Sequence, residues 1–343
     1  MNTLAGELDE VLDATRDLWR DLAGARVLIT GGTGFFGSWL LETFSWAHDR
    51  LELKSSAVVL TRDPEGFAAR ASHLADHEAI CTMRGDVRDI GNDLGDFDAV
   101  IHAATSASAD LNQTDPLTML DTIIDGTRHI LDAVAGSGEI PVLLTSSGAV
   151  YGRQPPELDH MPETWSGGPD PLDTRSAYAE GKRTAELTGA LFTNASGLQV
   201  KYARCYAFLG PYLPLDRHYA IGNFIRDGLA GGPIRVQGDG TTVRSYLYAA
   251  DLAIWLWTIL LRGTTGRAYN VGSEEAIDIA ELARTVARAL DPAPDTEIAS
   301  HATTGPIDRY VPSTERARQE LGLEQRVSLS EGIARTISWH RAP

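Results

Sequence analysis

Apolar residues fall into two alternating kinds of stretch along this chain. Short solid runs, "ARVLIT", "SAVVLT", "FDAVIHAA", "IPVLLTSS" and "LQVKYARCY", have the length and β-branched content of buried strands. Between them, "SWLLETFSWA", "PEGFAARASHLADH", "PLTMLDTIIDGTRHILDAVAGS" and "SAYAEGKRTAELTGALFTNAS" place their apolar residues at helical spacing. Strict alternation predicts an α/β fold with a parallel sheet covered on both faces, and right-handed crossovers make it doubly wound. Ahead of it, Leu4, Leu8, Val11, Leu12, Leu18, Trp19 and Leu22 form a one-sided stripe, so residues 1–24 are expected to be an amphipathic helix packed on the body.

From about residue 206 the pattern loosens into loop-rich segments, with helices expected at 221–230, 250–262 and 278–290. The expectation is a sheet domain over 25–205 and a smaller C-terminal lobe over 206–343, with about 243–272 returning to the first domain. No internal repeat is evident.

Composition narrows the partners. The 343 residues carry a net charge of −17, which argues against nucleic acid, since a polyphosphate backbone calls for a basic face. Cys81 and Cys205 give neither a disulfide framework nor metal-ligand spacing, so no metal is expected. No apolar run approaches the roughly 20 residues of a bilayer span. "MNTLAGELDE" lacks the features of a secretion signal, which leads to the expectation of a cytoplasmic protein without a membrane partner.

The first chemical motif is "TGGTGFFGSWL". Gly31, Gly34 and Gly37 are spaced G-x-x-G-x-x-G between a predicted strand and helix, where glycines let a pyrophosphate approach the backbone at a helix N-terminus. Thr33, Phe35 and Phe36 belong to the same expected dinucleotide contact. The next strand ends "VVLTRDP". Thr61 stands where an acid would grip a ribose hydroxyl, and Arg62 follows, which favours a 2′-phosphate and hence NADP. Asp63 leaves NAD equally open. Asp86, in "RGDVRD", is placed to meet the adenine, with Val87 beside it; Ala103 and Ala104 end the following strand.

The second motif is "SAYAEGK". Tyr178 and Lys182, four apart, share a helix face. A lysine ammonium beside a phenol favours phenolate, so this tyrosine can exchange a proton with a sugar hydroxyl while hydride moves. Ser147, about thirty residues earlier at the end of "IPVLLTSS", would hydrogen-bond the same substrate oxygen.

In this order the three glycines, "SSGAVYG", Tyr178 and Lys182 resemble the extended short-chain dehydrogenase/reductase family, from about residue 25 to 335. "SS-x-x-VYG" and "GDGTTVRSYLYAADLA" narrow the resemblance to nucleotide-sugar epimerases and dehydratases. It implies a Rossmann-type domain with bound NAD or NADP, and a C-terminal lobe binding a nucleoside diphosphate sugar. It also implies a homodimer, and Ser147, Tyr178 and Lys182 as the catalytic group. In the second lobe it implies Arg244, Arg309 and Asn223 as substrate contacts.

Two departures concern amides. Ile123 and Ala207 occupy places where the family usually has asparagine, and Arg217 and His218 lie near enough in sequence to compensate for the second. The third departure concerns chemistry. Dehydratases of the family resemble "TDEVYG" and UDP-glucuronate decarboxylases "TSEVYG", whereas this chain has the inert Gly148 and Ala149. The expectation is therefore an epimerase acting through a keto-sugar at C4, with an NADPH-dependent 4-keto sugar-nucleotide reductase as the alternative. A 4,6-dehydratase, a decarboxylase and a non-catalytic nucleotide binder rank below these.

Overall fold

The computed structural model describes residues 3–91, 94–105, 109–217, 219–299 and 307–342. In chain order the elements are α1 (Ala5–Thr15), β1 (Arg26–Thr30), α2 (Phe35–Leu51), β2 (Ser56–Thr61), α3 (Pro64–Arg70), α4 (Ser72–Ala75), β3 (Ile80–Arg84), β4 (Ala99–His102), α5 (Ala109–Thr114), α6 (Pro116–Val134), β5 (Pro141–Ser147), α7 (Ala177–Ser196) and β6 (Gln199–Cys205). They continue with β7 (Phe208–Leu209), α8 (Ala220–Leu229), β8 (Ile234–Val236), β9 (Val243–Arg244), β10 (Leu247–Tyr248), α9 (Ala249–Arg262), β11 (Ala268–Val271), β12 (Ile277–Asp278), α10 (Ile279–Arg288), β13 (Thr296–Ile298), β14 (Arg309–Tyr310), α11 (Glu315–Leu321) and α12 (Leu329–Arg341).

The chain divides into two compact units. The first comprises Met1–Val150, Pro169–Arg204 and Ala253–Tyr269; the second comprises Tyr151–Gly168, Cys205–Leu252 and Asn270–Pro343.

A seven-stranded parallel sheet in the order β11-β6-β5-β4-β1-β2-β3 forms the frame of the first unit, a Rossmann-type doubly wound arrangement. Its central strands are buried on both faces, which is why β1, β2, β4 and β5 read as unbroken apolar runs. The edge strand β3 is mostly exposed along "CTMR", so it leaves only a faint apolar signal. β1 pairs with β2 on one side and β4 on the other, so successive connections wind in opposite directions from that point. Ligands of open α/β sheets bind in the crevice this creates at the C-terminal strand ends.

The N-terminal stripe forms α1 and then a separate 3-10 turn, Trp19–Leu22, rather than one helix. Trp19 is fully buried beside Phe44 and Trp257, with its ring 4.9 Å from that of Trp257. The indole of Trp257 donates to Thr43 Oγ1 at 2.9 Å, so the returning helix α9 is fixed by packing and by a buried hydrogen bond.

In the second unit, β9 is the centre of a three-stranded sheet with β12 and β14; β7 pairs with β10 and β8 with β13. Among the described residues no helix is long and apolar enough to cross a membrane.

Candidate active site

The glycine turn lies at the switch point between β1 and β4. Gly31 has φ +71°, and a Cβ there would stand 2.6 Å from the carbonyl carbon and oxygen of Ala103. A Cβ on Gly37 would fall 2.3 Å from the Cα of Gly32, so the first turn of α2 packs directly on the turn backbone. Only glycine permits either approach. The N-terminus of α2 and the bare backbone beside Ala103 and Ala104 form a cradle that fits a dinucleotide pyrophosphate. Thr33, Gly34, Phe35 and Phe36 are in this turn and helix start.

A buried polar network ties the two strand ends together. Thr30 Oγ1 lies 2.8 Å from His102 Nδ1 and accepts from the Ala104 amide at 3.1 Å; Thr127 Oγ1 lies 3.3 Å from His102 Nε2. Burial, reinforced by the nearby Lys182 charge, pushes the His102 pKa down to about 3, so the imidazole is neutral. It therefore acts as a spacer and not as an acid.

At the end of β2, the Asp63 carboxylate caps α3 by accepting from the Gly66 amide at 2.9 Å. Arg62 is exposed, with its guanidinium 4.0 Å from Asp86. Arg88 donates to both oxygens of Asp86, at 3.1 and 2.8 Å, and these hydrogen bonds hold that carboxyl down at about 2. Asp86 is thus a fixed anion after β3. Val87 is buried next to it, and a Cβ on Gly126 would meet its side chain at 2.8 Å.

The hydroxyl cluster ends β5. Ser147 Oγ accepts from the Ala149 amide at 3.1 Å, within a 3-10 turn spanning Gly148–Tyr151. Ser146 points elsewhere, donating to Glu186 Oε1 at 2.5 Å. Arg204 closes on both oxygens of Glu186, at 2.9 and 2.6 Å, so a largely buried ion pair anchors this strand end to α7. Lys182 is buried and donates to the Thr145 carbonyl and to Thr105 Oγ1, each at 2.7 Å. Its ammonium lies 6.0 Å from the Tyr178 ring centroid. Lys182 and Tyr178 thus share a face of α7, and Lys182 reaches the strand that carries Ser147.

The other expected residues are in the second unit. Arg244 is partly buried and pairs with Asp308 at 2.6 Å. The β9–β14 register sets Tyr310 opposite Arg244 and Arg309 opposite Val243, so the pleat gives Arg244 and Arg309 different faces of this small sheet. Asn223 Oδ1 accepts from Arg226 at 3.1 Å. Arg217 is exposed beside Asp216, and His218 lies outside the described residues.

Comparison with known proteins settles the family, because residues 27–272 match the NAD dependent epimerase/dehydratase family. The chain belongs to that family. Its cofactor class is accordingly NAD. UDP-glucuronic acid decarboxylase 1 of Arabidopsis thaliana is 30% identical over 91% of this chain and 69% of its own length. The solved dTDP-glucose 4,6-dehydratase of Streptomyces venezuelae, with NAD bound, has a TM-score of 0.79 and 25% identity, covering 92% of this chain and 97% of that one. MoeE5 in complex with UDP-glucuronic acid and NAD has a TM-score of 0.75 and 27% identity, over 92% and 99%.

Ile123 and Ala207 stand where the resemblance expects asparagine. Ile123 is buried with Met119 and Ala185, in an apolar cluster against which Leu111 and Tyr178 pack. The residues that sequence reasoning missed are Thr105, Asn112, His102 and the Glu186–Arg204 pair. Only a polar residue interrupting an apolar run, as His102 does in "VIHAA", could have drawn notice.

A histidine-carboxylate trio, His48, Asp49 and His77, sits elsewhere in the first unit. The Ala79 amide donates to His77 Nδ1, which leaves the ring proton on Nε2, 3.1 Å from Asp49. Hydrogen bonds account for this cluster without an ion.

Proposed function

We propose that the chain is a nucleotide-sugar epimerase that inverts C4 through a transient keto-sugar. NAD, held by the Gly31–Gly37 turn, would supply the hydride acceptor and donor. Tyr178 takes the hydroxyl proton and later gives it back, Lys182 supplies the positive charge beside it, and Ser147 holds the same oxygen. Arg244 would exchange Asp308 for diphosphate oxygens, with Arg309 and Asn223 as further substrate contacts. Arg62 would face the adenosine ribose, which keeps NADP within this reading. A cytoplasmic homodimer belongs to it too.

The observation that carries the proposal is the pair Gly148 and Ala149 after Ser147. Eliminating water across C5 and C6 needs a base for the C5 proton and an acid for the departing hydroxyl. Neither side chain can exchange a proton.

A second reading is decarboxylation of a nucleotide-linked uronic acid, favoured by the 30% identity to a UDP-glucuronic acid decarboxylase. A 4-keto uronic acid is a β-keto acid. Its C5–C6 bond breaks with the electron pair flowing into the ketone as carbon dioxide leaves, and no acid at position 148 or 149 is required for that step.

The test is to supply UDP-glucuronic acid and UDP-glucose with NAD and analyse the products by chromatography and mass spectrometry. A product of unchanged mass and new retention supports epimerisation. Loss of carbon dioxide from the uronic acid transfers the assignment to the decarboxylase, and loss of water overturns both. Consumption of NADPH by a 4-keto substrate without return of hydride would instead establish the reductase. Tyr178→Phe should lower turnover by about 10²–10⁴ while NAD still binds. Near wild-type turnover would remove Tyr178 from the mechanism.

A further inference from the structure

The Tyr178–Lys182 pair is held from outside its own helix. α7 begins at Ala177, and its N-cap Ser176 makes no side-chain capping bond. The first turn of a helix has amides without intrahelical partners. The Tyr178 amide finds one in Asn112 Oδ1 at 3.1 Å, while Asn112 Nδ2 donates to the Arg175 carbonyl at 3.0 Å. One amide side chain from α5 thus spans the turn that delivers Tyr178. Leu111, next to it, packs against the same apolar cluster as the Tyr178 ring.

The second hold is on the lysine. An ammonium has three donors and no acceptor. Two of its bonds go to neutral oxygens, Thr105 Oγ1 and the Thr145 carbonyl. The Thr145 carbonyl belongs to the β5 backbone, whereas the Thr105 hydroxyl is a side chain that evolution or mutation can remove. Ile123, beneath Gly181 of α7, can offer Lys182 no hydrogen bond. His102, the titratable group that acts on Lys182 from β4, is neutral and does not compete as a charge.

We propose that Thr105 and Asn112 are positioning residues for the Tyr178–Lys182 pair. Thr105 sets the ammonium and Asn112 sets the start of the helix that carries the phenol, so the charge stays close enough to favour phenolate. The proposal rests on the reading of Tyr178 as the proton-exchanging group, and the test separates the two.

Ultraviolet difference titration of NAD-loaded wild type minus Tyr178→Phe reads the Tyr178 phenolate directly. Thr105→Val should raise the pH at which that phenolate forms by about one unit, because an opposite charge within a few ångströms is worth about 1–3 units. Turnover should fall about tenfold with little change in KM for the sugar, as expected for weakened acid/base catalysis. Thr105→Ser should restore both. Asn112→Ala should lower kcat in the same way, and Asn112→Asp, which keeps the acceptor for the Tyr178 amide, should recover most of it. Should Thr105→Val fail to fold, Thr105→Ala serves for the same titration. A phenolate titration unmoved by Thr105→Val, or a Thr105→Ser variant as impaired as Thr105→Val, overturns the proposal alone. A wild-type Tyr178 that ionises only in the ordinary tyrosine range, about 10, overturns the reading of Tyr178 and the proposal with it.

Discussion

Asp251 offers a test of the energetics of the second unit that is independent of catalysis. Its carboxyl is 1% exposed, and Oδ2 accepts from the Arg326 and Val327 amides, each at 3.0 Å. Burial pushes its pKa up from 3.8 to about 6, against the opposing pull of those amides and of Arg326 and Arg335. The native state therefore binds this proton more tightly than the unfolded chain does. The resulting stability is fully present below pH 3.8, declines as pH rises, and is gone above about 6. A gap of roughly 2 units at 1.36 kcal/mol each makes this about 3 kcal/mol, a large share of a typical folding free energy of about 5–15 kcal/mol. Asp86 has the opposite sign, since its depressed carboxyl stabilises above 3.8 and loses that contribution as pH falls to about 2. The two windows meet without overlapping.

Asp251→Asn keeps an oxygen for both amides and removes the charge. Equilibrium urea unfolding of wild type and variant across pH 4–7 isolates the effect, because other groups cancel in the difference. The stability of the variant relative to wild type should rise by up to about 3 kcal/mol from the acid to the neutral end. A flat difference curve would refute the reasoning. A difference that falls with pH would mean that the amides and Arg335 outweigh the cost of burial.

Arg204→Met should cost about 3–5 kcal/mol in urea unfolding, because it strands the largely buried Glu186 carboxylate with Ser146. Adding Glu186→Leu should return most of that loss, and a single variant within about 1 kcal/mol of wild type would show that the pair is effectively solvated. Leu187 and Leu191, one turn apart on α7, are 61% and 60% exposed, and Leu117 on α6 is 72% exposed. If this face closes a homodimer, Leu187→Asp with Leu191→Asp should sediment as a monomer where wild type sediments as a dimer; a monomeric wild type ends that reading.

The local pattern of the chain determined the alternation of strands and helices, the glycine turn and the presence of Ser147, Tyr178 and Lys182. Each of these is written within a few neighbouring residues: an apolar period, three glycines at fixed spacing, a tyrosine and lysine one turn apart. The bounds of β3 escaped because an edge strand with mostly exposed side chains has no apolar run to show. The partners of the site residues escaped for a different reason. Thr105 meets Lys182 across 77 positions, Asn112 meets Tyr178 across 66, and Arg244 meets Asp308 across 64. No periodicity encodes which side chains such distant segments bring within hydrogen-bonding reach. The second unit likewise draws Tyr151–Gly168 together with residues beyond 204, a grouping made by packing and not by order along the chain. The sequence therefore carried the reactive groups of the site, and only the tertiary structure supplied what holds them, because a hydrogen bond requires placement to a few tenths of an ångström that the periodicity of a strand or helix does not specify.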